Sequence, residues 1–190
     1  MADGVALLVM DVQQAVVERY GEPALVGRLV AAIAAARAAA IPVIFVRVAF
    51  RTGFPEVSPR NRSFSALVAQ PGGRGFGETD PASQIHPDLA PQPADVVVVK
   101  RRVSAFTGSD LEVVLRARGV TTLVLTGIAT SGVVLSTARE AADRDYGLVI
   151  LRDGCADADP EVHRVLMEKV FPRQAEVLSV ADWVEKVQRG

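Results

Sequence analysis

Short, nearly unbroken runs of apolar and mostly β-branched residues recur along this chain and alternate with helical patterns. Six such runs predict strands, at residues 5–10, 43–48, 96–99, 123–126, 148–151 and 175–178. Because their hydrophobicity is continuous rather than alternating, we expect both faces of each strand to be covered, as in a parallel sheet. The alternation of strands with helices therefore predicts an open, doubly wound α/β fold.

Helical patterns fill the intervals between these strands. Helices are predicted at residues 23–40, 111–118, 131–145 and 160–170, and another after Ser179. Asp159 directly before Pro160 is typical of a helix N-cap followed by a first turn. Ser179 and Asp182 resemble a capping pair, and Gly119 is typical of the residue that follows a helix. Right-handed crossovers through these helices place the C-terminal ends of the strands along one edge, where ligands bind in such sheets.

Residues 50–93 are the exception, because they show no clear periodicity and are rich in Gly, Pro, Ser and Arg. A connection of this length is usually either functional or disordered. A short helix at 60–68 and a turn at 71–73 are predicted within it. We interpret the segment as a lid over the strand-end crevice, with a plain surface loop or a subunit contact as the alternative. The length of 190 residues otherwise predicts a single domain over 1–190.

Composition and charge restrict the partners and the compartment. The 21 basic and 22 acidic residues form no basic stripe, which argues against nucleic acid as a partner. No apolar run approaches the length of a bilayer span, so no membrane association is expected. Cys155 is the only cysteine, which excludes an internal disulfide and is typical of a reducing compartment. Since the first strand leaves no room for a signal peptide, we predict a cytoplasmic protein.

Signatures of metals and cofactors are missing from the sequence. His86 and His163 are the only histidines, and neither has a second ligand at metal-binding spacing. Gly127 and Gly132 are not followed by the Lys-Ser or Lys-Thr of a phosphate loop, nor do they fit the Gly-x-Gly-x-x-Gly dinucleotide fingerprint. We therefore expect a small-molecule substrate and no cofactor or metal.

Candidate catalytic groups lie at the ends of three predicted strands. Asp11 follows an apolar strand, where a carboxylate is costly unless it is paired or neutralised, and a helix cap or loop carboxylate is the alternative. Lys100 follows four valines; the alternative, favoured by the two arginines that come next, is that its amine extends to solvent. If the sheet brings the two within about 4 Å, each favours the charged form of the other.

The third strand end is a glycine-rich elbow at 127–134 that opens a helix. Its backbone N–H groups are suited to hold an oxyanion or a carboxylate without any side chain. Glycines at its first and sixth positions permit backbone geometries closed to other residues. An ordinary turn between a strand and a helix is the alternative interpretation.

These segments resemble the isochorismatase-like hydrolases of the cysteine hydrolase superfamily, which include isochorismatases, nicotinamidases and N-carbamoyl amidohydrolases. The resemblance spans nearly the whole chain and rests on ALLVMDVQ at 6–13, KRRVSAF at 100–106, and GIAT at 127–130 with Thr137 and Ala138 downstream. It implies a three-layer α/β/α, Rossmann-like fold with a six-stranded, mainly parallel sheet. It also implies a cis peptide bond between Ile128 and Ala129, and a homo-oligomer.

The resemblance further implies a catalytic set of Asp, Lys and Cys. Asp11 and Lys100 match the first two positions, but the third falls on Val133, which has no thiol. Amidases of the family attack with the cysteine, whereas its isochorismatases lack it and hydrolyse a vinyl ether by delivering a proton to carbon. Ser131, two residues before Val133, fits a helix N-cap better than a nucleophile. Cys155 fits a buried structural thiol better than a group at the site.

Further residues are candidates for substrate binding. Gln13 is a candidate to hydrogen-bond a polar group, or else it caps the first helix. Phe106 is a candidate to stack on a small planar ring, with core packing as the equal alternative. The elbow contributes four candidates: Ala129, Thr130, Ser131 and Gly132. Four arginines in or before the predicted lid are candidates to pair with a carboxylate, with solvated surface positions as the alternative: Arg47, Arg51, Arg60 and Arg62.

The sequence therefore predicts a hydrolase of a small, anionic and unsaturated molecule, such as a vinyl ether, that acts without a covalent cysteine. Asp11 is expected to act as the general acid or base, Lys100 to hold and tune it, and the elbow amides to bind developing negative charge. The alternative is a catalytically inactive family member that binds a small molecule or serves in assembly. A third hypothesis is an amidase that uses Cys155 or Ser131.

Overall fold

The six predicted strands assemble into one sheet. The computed structural model describes residues 4–20, 23–69 and 75–189. The strands are β1 Val5–Met10, β2 Val43–Val48, β3 Val96–Lys100, β4 Thr122–Ile128, β5 Gly147–Ala156 and β6 Glu176–Leu178. Their order across the sheet is β3-β2-β1-β4-β5-β6, and every neighbouring pair is parallel. Within the described ranges, no helix is both long enough and apolar enough to cross a membrane.

Helices cover both faces of this sheet. They are α1 Gln14–Tyr20, α2 Pro23–Ala38, α3 Arg62–Val68, α4 Leu111–Ala117, α5 Leu135–Ala142, α6 Pro160–Val165 and α7 Val180–Arg189. Alternate residues of β1 belong to different apolar clusters. Leu8 packs in a cluster with residues of α4 and α5, whereas Leu7 packs in one with residues of α2 and α7. The three-layer α/β/α fold is therefore confirmed.

The predicted helix ends are confirmed as well. The Asp159 carboxylate accepts a hydrogen bond from the amide of Glu161, at 2.9 Å, and caps α6. The Ser179 hydroxyl accepts from the amide of Asp182 at 3.0 Å and donates to its carboxylate at 2.6 Å, which begins α7. Gly119, after α4, has a φ of +64°, the left-handed conformation that glycine adopts most easily.

Some bounds differ from the sequence prediction. The helix expected over 131–145 begins with a wide, π-helical turn at Thr130–Val134, with non-helical backbone at Gly132, and its regular part ends at Ala142. The helix expected over 160–170 is regular only to Val165 and continues as a π-helical turn. Helix α1 has no counterpart in the sequence prediction, because its short apolar pattern lies between a strand and a longer helix.

The segment 50–93 has a small core of its own. Phe50 packs edge-to-face against Phe64 of α3, with ring centroids 5.4 Å apart, and against Phe54 at 6.3 Å. The amide of Phe50 donates to the carbonyl of Phe76 at 2.7 Å, which joins the start of the segment to residues that follow α3. The predicted short helix is confirmed as α3, whereas the predicted turn at 71–73 lies outside the described residues. Closure of the segment as a lid stays a prediction.

Candidate active site

Asp11 and Lys100 form a buried ion pair at the C-terminal edge of the sheet. The two strands that carry them are separated only by β2, and the amine nitrogen of Lys100 lies 2.9 Å from Oδ2 of Asp11. The same amine donates to the carbonyls of Arg102, at 2.9 Å, and Val103, at 3.0 Å. Because an ammonium has three N–H donors, all three have acceptors, and the side chain points inward rather than to solvent. The loop after β3 thus holds the ammonium in place.

The second carboxylate oxygen of Asp11, Oδ1, is buried and has no hydrogen-bond partner among the described residues. Burial raises the pKa of this carboxyl above its usual value, and the Lys100 ammonium opposes this shift only in part. The backbone of Asp11 has a φ of +54°, an uncommon conformation for a residue other than glycine. Asp11 is therefore a carboxyl group with one oxygen committed to Lys100 and the other oxygen available.

The elbow after β4 lies close to Asp11 because of one glycine. Gly127 pairs with Met10 across the sheet and has a φ of +140°. A Cβ atom at this position would lie 2.1 Å from the carbonyl oxygen of Met10, so only glycine permits the approach. The peptide bond between Ile128 and Ala129 is cis, as the resemblance implied.

Several polar groups of the elbow are bonded within the protein. The amide of Ser131 donates to the Asp157 carboxylate at 2.7 Å, and the amide of Gly132 donates to the carbonyl of Ala129 at 3.1 Å. The hydroxyl of Thr130 is 2.8 Å from Nδ1 of His163. Two of the amides that were expected to bind negative charge therefore already have acceptors. The Ser131 bond joins the elbow to the residue that follows β5, and the Gly132 bond lies within the elbow itself.

A cavity of about 800 Å³ opens over the ion pair. Six of the residues predicted for the site line it: Asp11, Lys100, Ala129, Ser131, Gly132 and Val133. The predicted residues Gln13, Thr130 and Phe106 are not among the described lining residues. Val133 thus lies at the elbow and faces the same space as the Asp11–Lys100 pair.

Gln13 and Phe106 have other contacts in the structure. The side-chain amide of Gln13 donates to the carbonyls of Val48 and Ser83, at 3.0 and 2.6 Å, and accepts from the amide of Val48. Phe106 packs against Tyr146 in the core, with ring centroids 5.9 Å apart. Gln13 therefore joins β2 to the segment 50–93, and Phe106 shows the core packing that was its alternative.

Other lining residues were not predicted from the sequence. Arg19 and Tyr20 of α1 face the cavity, as do Phe64 and Leu67 of α3 and Phe76. The signal for α1 was the apolar spacing of residues 16, 17 and 20, which pack against the core on one side of the helix. None of the four predicted arginines lines the cavity among the described residues. Two of these four have partners elsewhere: the Arg47 guanidinium donates to the Ser83 hydroxyl, and Arg51 pairs with Glu56.

Cys155 lies apart from this cavity. Its thiol is buried in the core and borders a separate depression of about 300 Å³ that Asp157 and His163 also line. Burial raises the pKa of the thiol to about 12. Among the residues that the structure describes, no three His, Cys, Asp or Glu side chains are grouped to hold a metal ion.

Comparison with known proteins agrees with this architecture. Residues 5–182 match the sequence profile of the family described as "Isochorismatase domain". An uncharacterized isochorismatase family protein, YecD, from Escherichia coli O157:H7 is 34% identical over 93% of both chains. A ureidoacrylate amidohydrolase, RutB, from Stutzerimonas stutzeri is 33% identical over 98% of this chain and 81% of its own. The crystal structure of a cysteine hydrolase from Pseudomonas syringae pv. phaseolicola is 28% identical over 98% of this chain and 93% of its own, with a TM-score of 0.88.

Proposed function

This chain belongs to the isochorismatase family of hydrolases, and we propose that it hydrolyses a small anionic molecule without a covalent cysteine intermediate. The observation that carries the proposal is the free oxygen of Asp11. A buried, unpartnered carboxyl oxygen beside a committed ammonium is a place where a substrate atom or a proton is stabilised. Asp11 is accordingly the general acid or base, and Lys100 is the group that holds and tunes it.

The raised pKa of Asp11 favours its role as a proton donor. With a vinyl ether as substrate, the Asp11 carboxyl gives its proton to the terminal carbon of the double bond, and an oxocarbenium ion forms. The resulting carboxylate is neutralised by Lys100 at 2.9 Å. Water then adds to the cation and returns a proton to Asp11. The hemiketal collapses to a carbonyl compound and an alcohol, so the balance is one water consumed and one C–O bond cleaved.

The residue at the elbow and the position of Cys155 support a mechanism without a thioester intermediate. Val133 occupies the elbow position facing the ion pair, and valine has no nucleophilic atom. Burial raises the pKa of the Cys155 thiol to about 12, so at neutral pH it is in the protonated, weakly nucleophilic form. It also lies in the core, outside the lining of the Asp11 cavity.

A second candidate function is hydrolysis of a C–N bond. Relatives of 33–34% identity are named ureidoacrylate amidohydrolases, which favours an anionic ureido compound as substrate. In this reaction the Asp11 carboxylate removes a proton from the attacking water, so the charged form of Asp11 is the active one. The two candidates therefore predict opposite pH dependence. As pH increases through the pKa of Asp11, the rate of vinyl ether cleavage is expected to fall and the rate of amide cleavage to rise.

The decisive assay measures pyruvate release from isochorismate and ammonium release from ureidoacrylate, for the wild type, Asp11→Asn and Cys155→Ala. We expect turnover of one substrate, a loss of about 100-fold or more in Asp11→Asn, and no change in Cys155→Ala. Loss of turnover in Cys155→Ala, or after iodoacetamide treatment of the folded protein, refutes the mechanism without cysteine. Absence of turnover on both, together with ligand binding, favours the inactive binding protein.

Val133→Cys provides a complementary variant. It places a thiol at the elbow, beside the Asp11 and Lys100 side chains. If the wild type cleaves vinyl ethers through Asp11 alone, we expect the added thiol to leave that activity unimproved and to become the site of iodoacetamide labelling. A large gain in amide hydrolysis in Val133→Cys, with no wild-type activity, indicates instead an inactive descendant of a cysteine amidase.

A further inference from the structure

We propose that Arg19 and Tyr20, at the end of α1, form a carboxylate-binding subsite of the Asp11 cavity. The ligand class that this subsite selects is a small monocarboxylic acid with an apolar body. The inference deepens the proposed function and rests on it for the reaction at Asp11, but carboxylate binding itself is independent of turnover.

The charge of the cavity is the first argument. Three charged side chains line it among the described residues: Asp11, Lys100 and Arg19. Asp11 and Lys100 neutralise each other, and the Lys100 ammonium has all its donors in use. Arg19 is solvent-exposed and has no acidic side chain within 4.0 Å in the part of the chain that the structure describes. The lining therefore carries one positive charge that an anionic ligand complements.

Tyr20 adds a second donor next to Arg19. It is half-buried and lines the same cavity. Burial, followed by the negative charge of Asp157, raises the pKa of its phenol above the usual value, so the hydroxyl keeps its proton at neutral pH. Both side chains line the same cavity, so a guanidinium and a hydroxyl are present there as donors to the oxygens of a carboxylate.

The elbow is a weaker competitor for the same anion. The amide of Ser131, which lines the cavity, already donates to the Asp157 carboxylate at 2.7 Å. A carboxylate at that point would meet the negative charge of Asp157 rather than a free N–H. Because the charge of Asp157 also acts on Tyr20, Arg19 is the main group that holds the ligand anion and Tyr20 is a secondary donor.

The apolar part of the cavity lining determines the rest of the ligand. Phe64, Leu67 and Phe76 line the cavity from the segment 50–93. These side chains offer apolar and aromatic surface, on which a flat hydrocarbon or unsaturated body packs. A molecule that contacts both these side chains and Arg19 shares the cavity with Asp11, which is the only acid among its described lining residues.

The test compares an acid with its neutral amide. Binding of benzoate and of benzamide is measured by calorimetry for the wild type, Arg19→Gln, Tyr20→Phe and the control Arg51→Gln. Arg51 is an exposed arginine paired with Glu56 outside the cavity lining. We expect the wild type to bind benzoate at least about tenfold more tightly than benzamide, and Arg19→Gln to lose this preference. Tyr20→Phe is expected to reduce it in part, and Arg51→Gln to keep it.

Equal binding of benzoate and benzamide by the wild type, absence of benzoate binding, or an unchanged preference in Arg19→Gln overturns the proposal. Asp11→Asn separates this proposal from the proposed function. It removes a negative charge from the cavity and abolishes the expected turnover, but it is expected to bind benzoate at least as well as the wild type. Benzoate binding without turnover of any substrate thus supports the subsite while refuting the hydrolase.

Discussion

The contribution of the Asp11–Lys100 pair to the free energy of unfolding can be measured with a double-mutant cycle. Lys100→Met removes three donors at once and leaves the buried Asp11 carboxyl and the carbonyls of Arg102 and Val103 without partners. Removing one member of a buried ion pair costs about 3–5 kcal/mol of the free energy of unfolding. Asp11→Asn keeps the shape and an oxygen acceptor for the ammonium, so we expect a loss of about 1–3 kcal/mol. In the double variant no unpaired charge remains, and the combined loss should be smaller than the sum by at least about 1 kcal/mol.

The assay is urea unfolding followed by the fluorescence of Trp183, the single tryptophan, which belongs to α7 and is buried. The m-value should be the same in all variants, so that midpoints report stability. Lys186→Met is the matched control, because Lys186 pairs with Glu176 at the surface, and its loss is expected to stay within about 1 kcal/mol. A loss in Lys100→Met as small as in the control, or strict additivity in the cycle, would refute the view that the two residues form one buried unit.

Three further outcomes follow from single contacts. Gly127→Ala should cost about 3 kcal/mol or more of the free energy of unfolding in the same urea assay, because its Cβ would lie 2.1 Å from the carbonyl oxygen of Met10. The control Gly27→Ala, whose Cβ would have nothing within 4 Å, should be neutral or stabilising. Similar values for the two variants would contradict this explanation. Cys155 should react with iodoacetamide at least about 100-fold more slowly in the native protein than in urea, because burial raises its pKa to about 12, and equal rates would place the thiol at the surface. Burial lowers the pKa of His163 from its usual 6.5, so the unfolded chain binds the proton more readily than the folded protein. The free energy of unfolding should therefore decrease as pH falls through 6.5, and His163→Gln should weaken this dependence. An unchanged pH profile in the variant would exclude His163 as its source.

The fold was predictable because its signals are local. Each strand is a short apolar run, and turns and caps such as Asp159 and Ser179 mark where helices begin. Parallel strands with right-handed crossovers leave few ways to connect such elements. Asp11 and Lys100 were predicted as a pair for the same reason, since both follow strands whose ends must meet at one edge.

The elbow residues that line the cavity were predicted too, but the rest of the site was not, because its positions depend on contacts between distant parts of the chain. Gln13 is bonded to Ser83, 70 residues away, and Phe106 turns into the core toward Tyr146. Arg19 and Tyr20 line the cavity from α1, which packs against residues 81–83 of the segment 50–93. Homo-oligomerisation, cytoplasmic location and the extent of the domain stay predictions that scattering, fractionation and limited proteolysis would test.

The separate aromatic core of the segment 50–93 has a consequence for how specificity diverges. Phe64 and Leu67 shape one wall of the cavity, yet they pack in a cluster distinct from the two that hold the sheet and its ion pair. Substitutions in this wall can therefore alter which molecules enter without weakening the scaffold that positions Asp11. A library of variants restricted to α3 and Phe76 should retain folded members at high frequency, and selection could then redirect the same proton chemistry to new substrates.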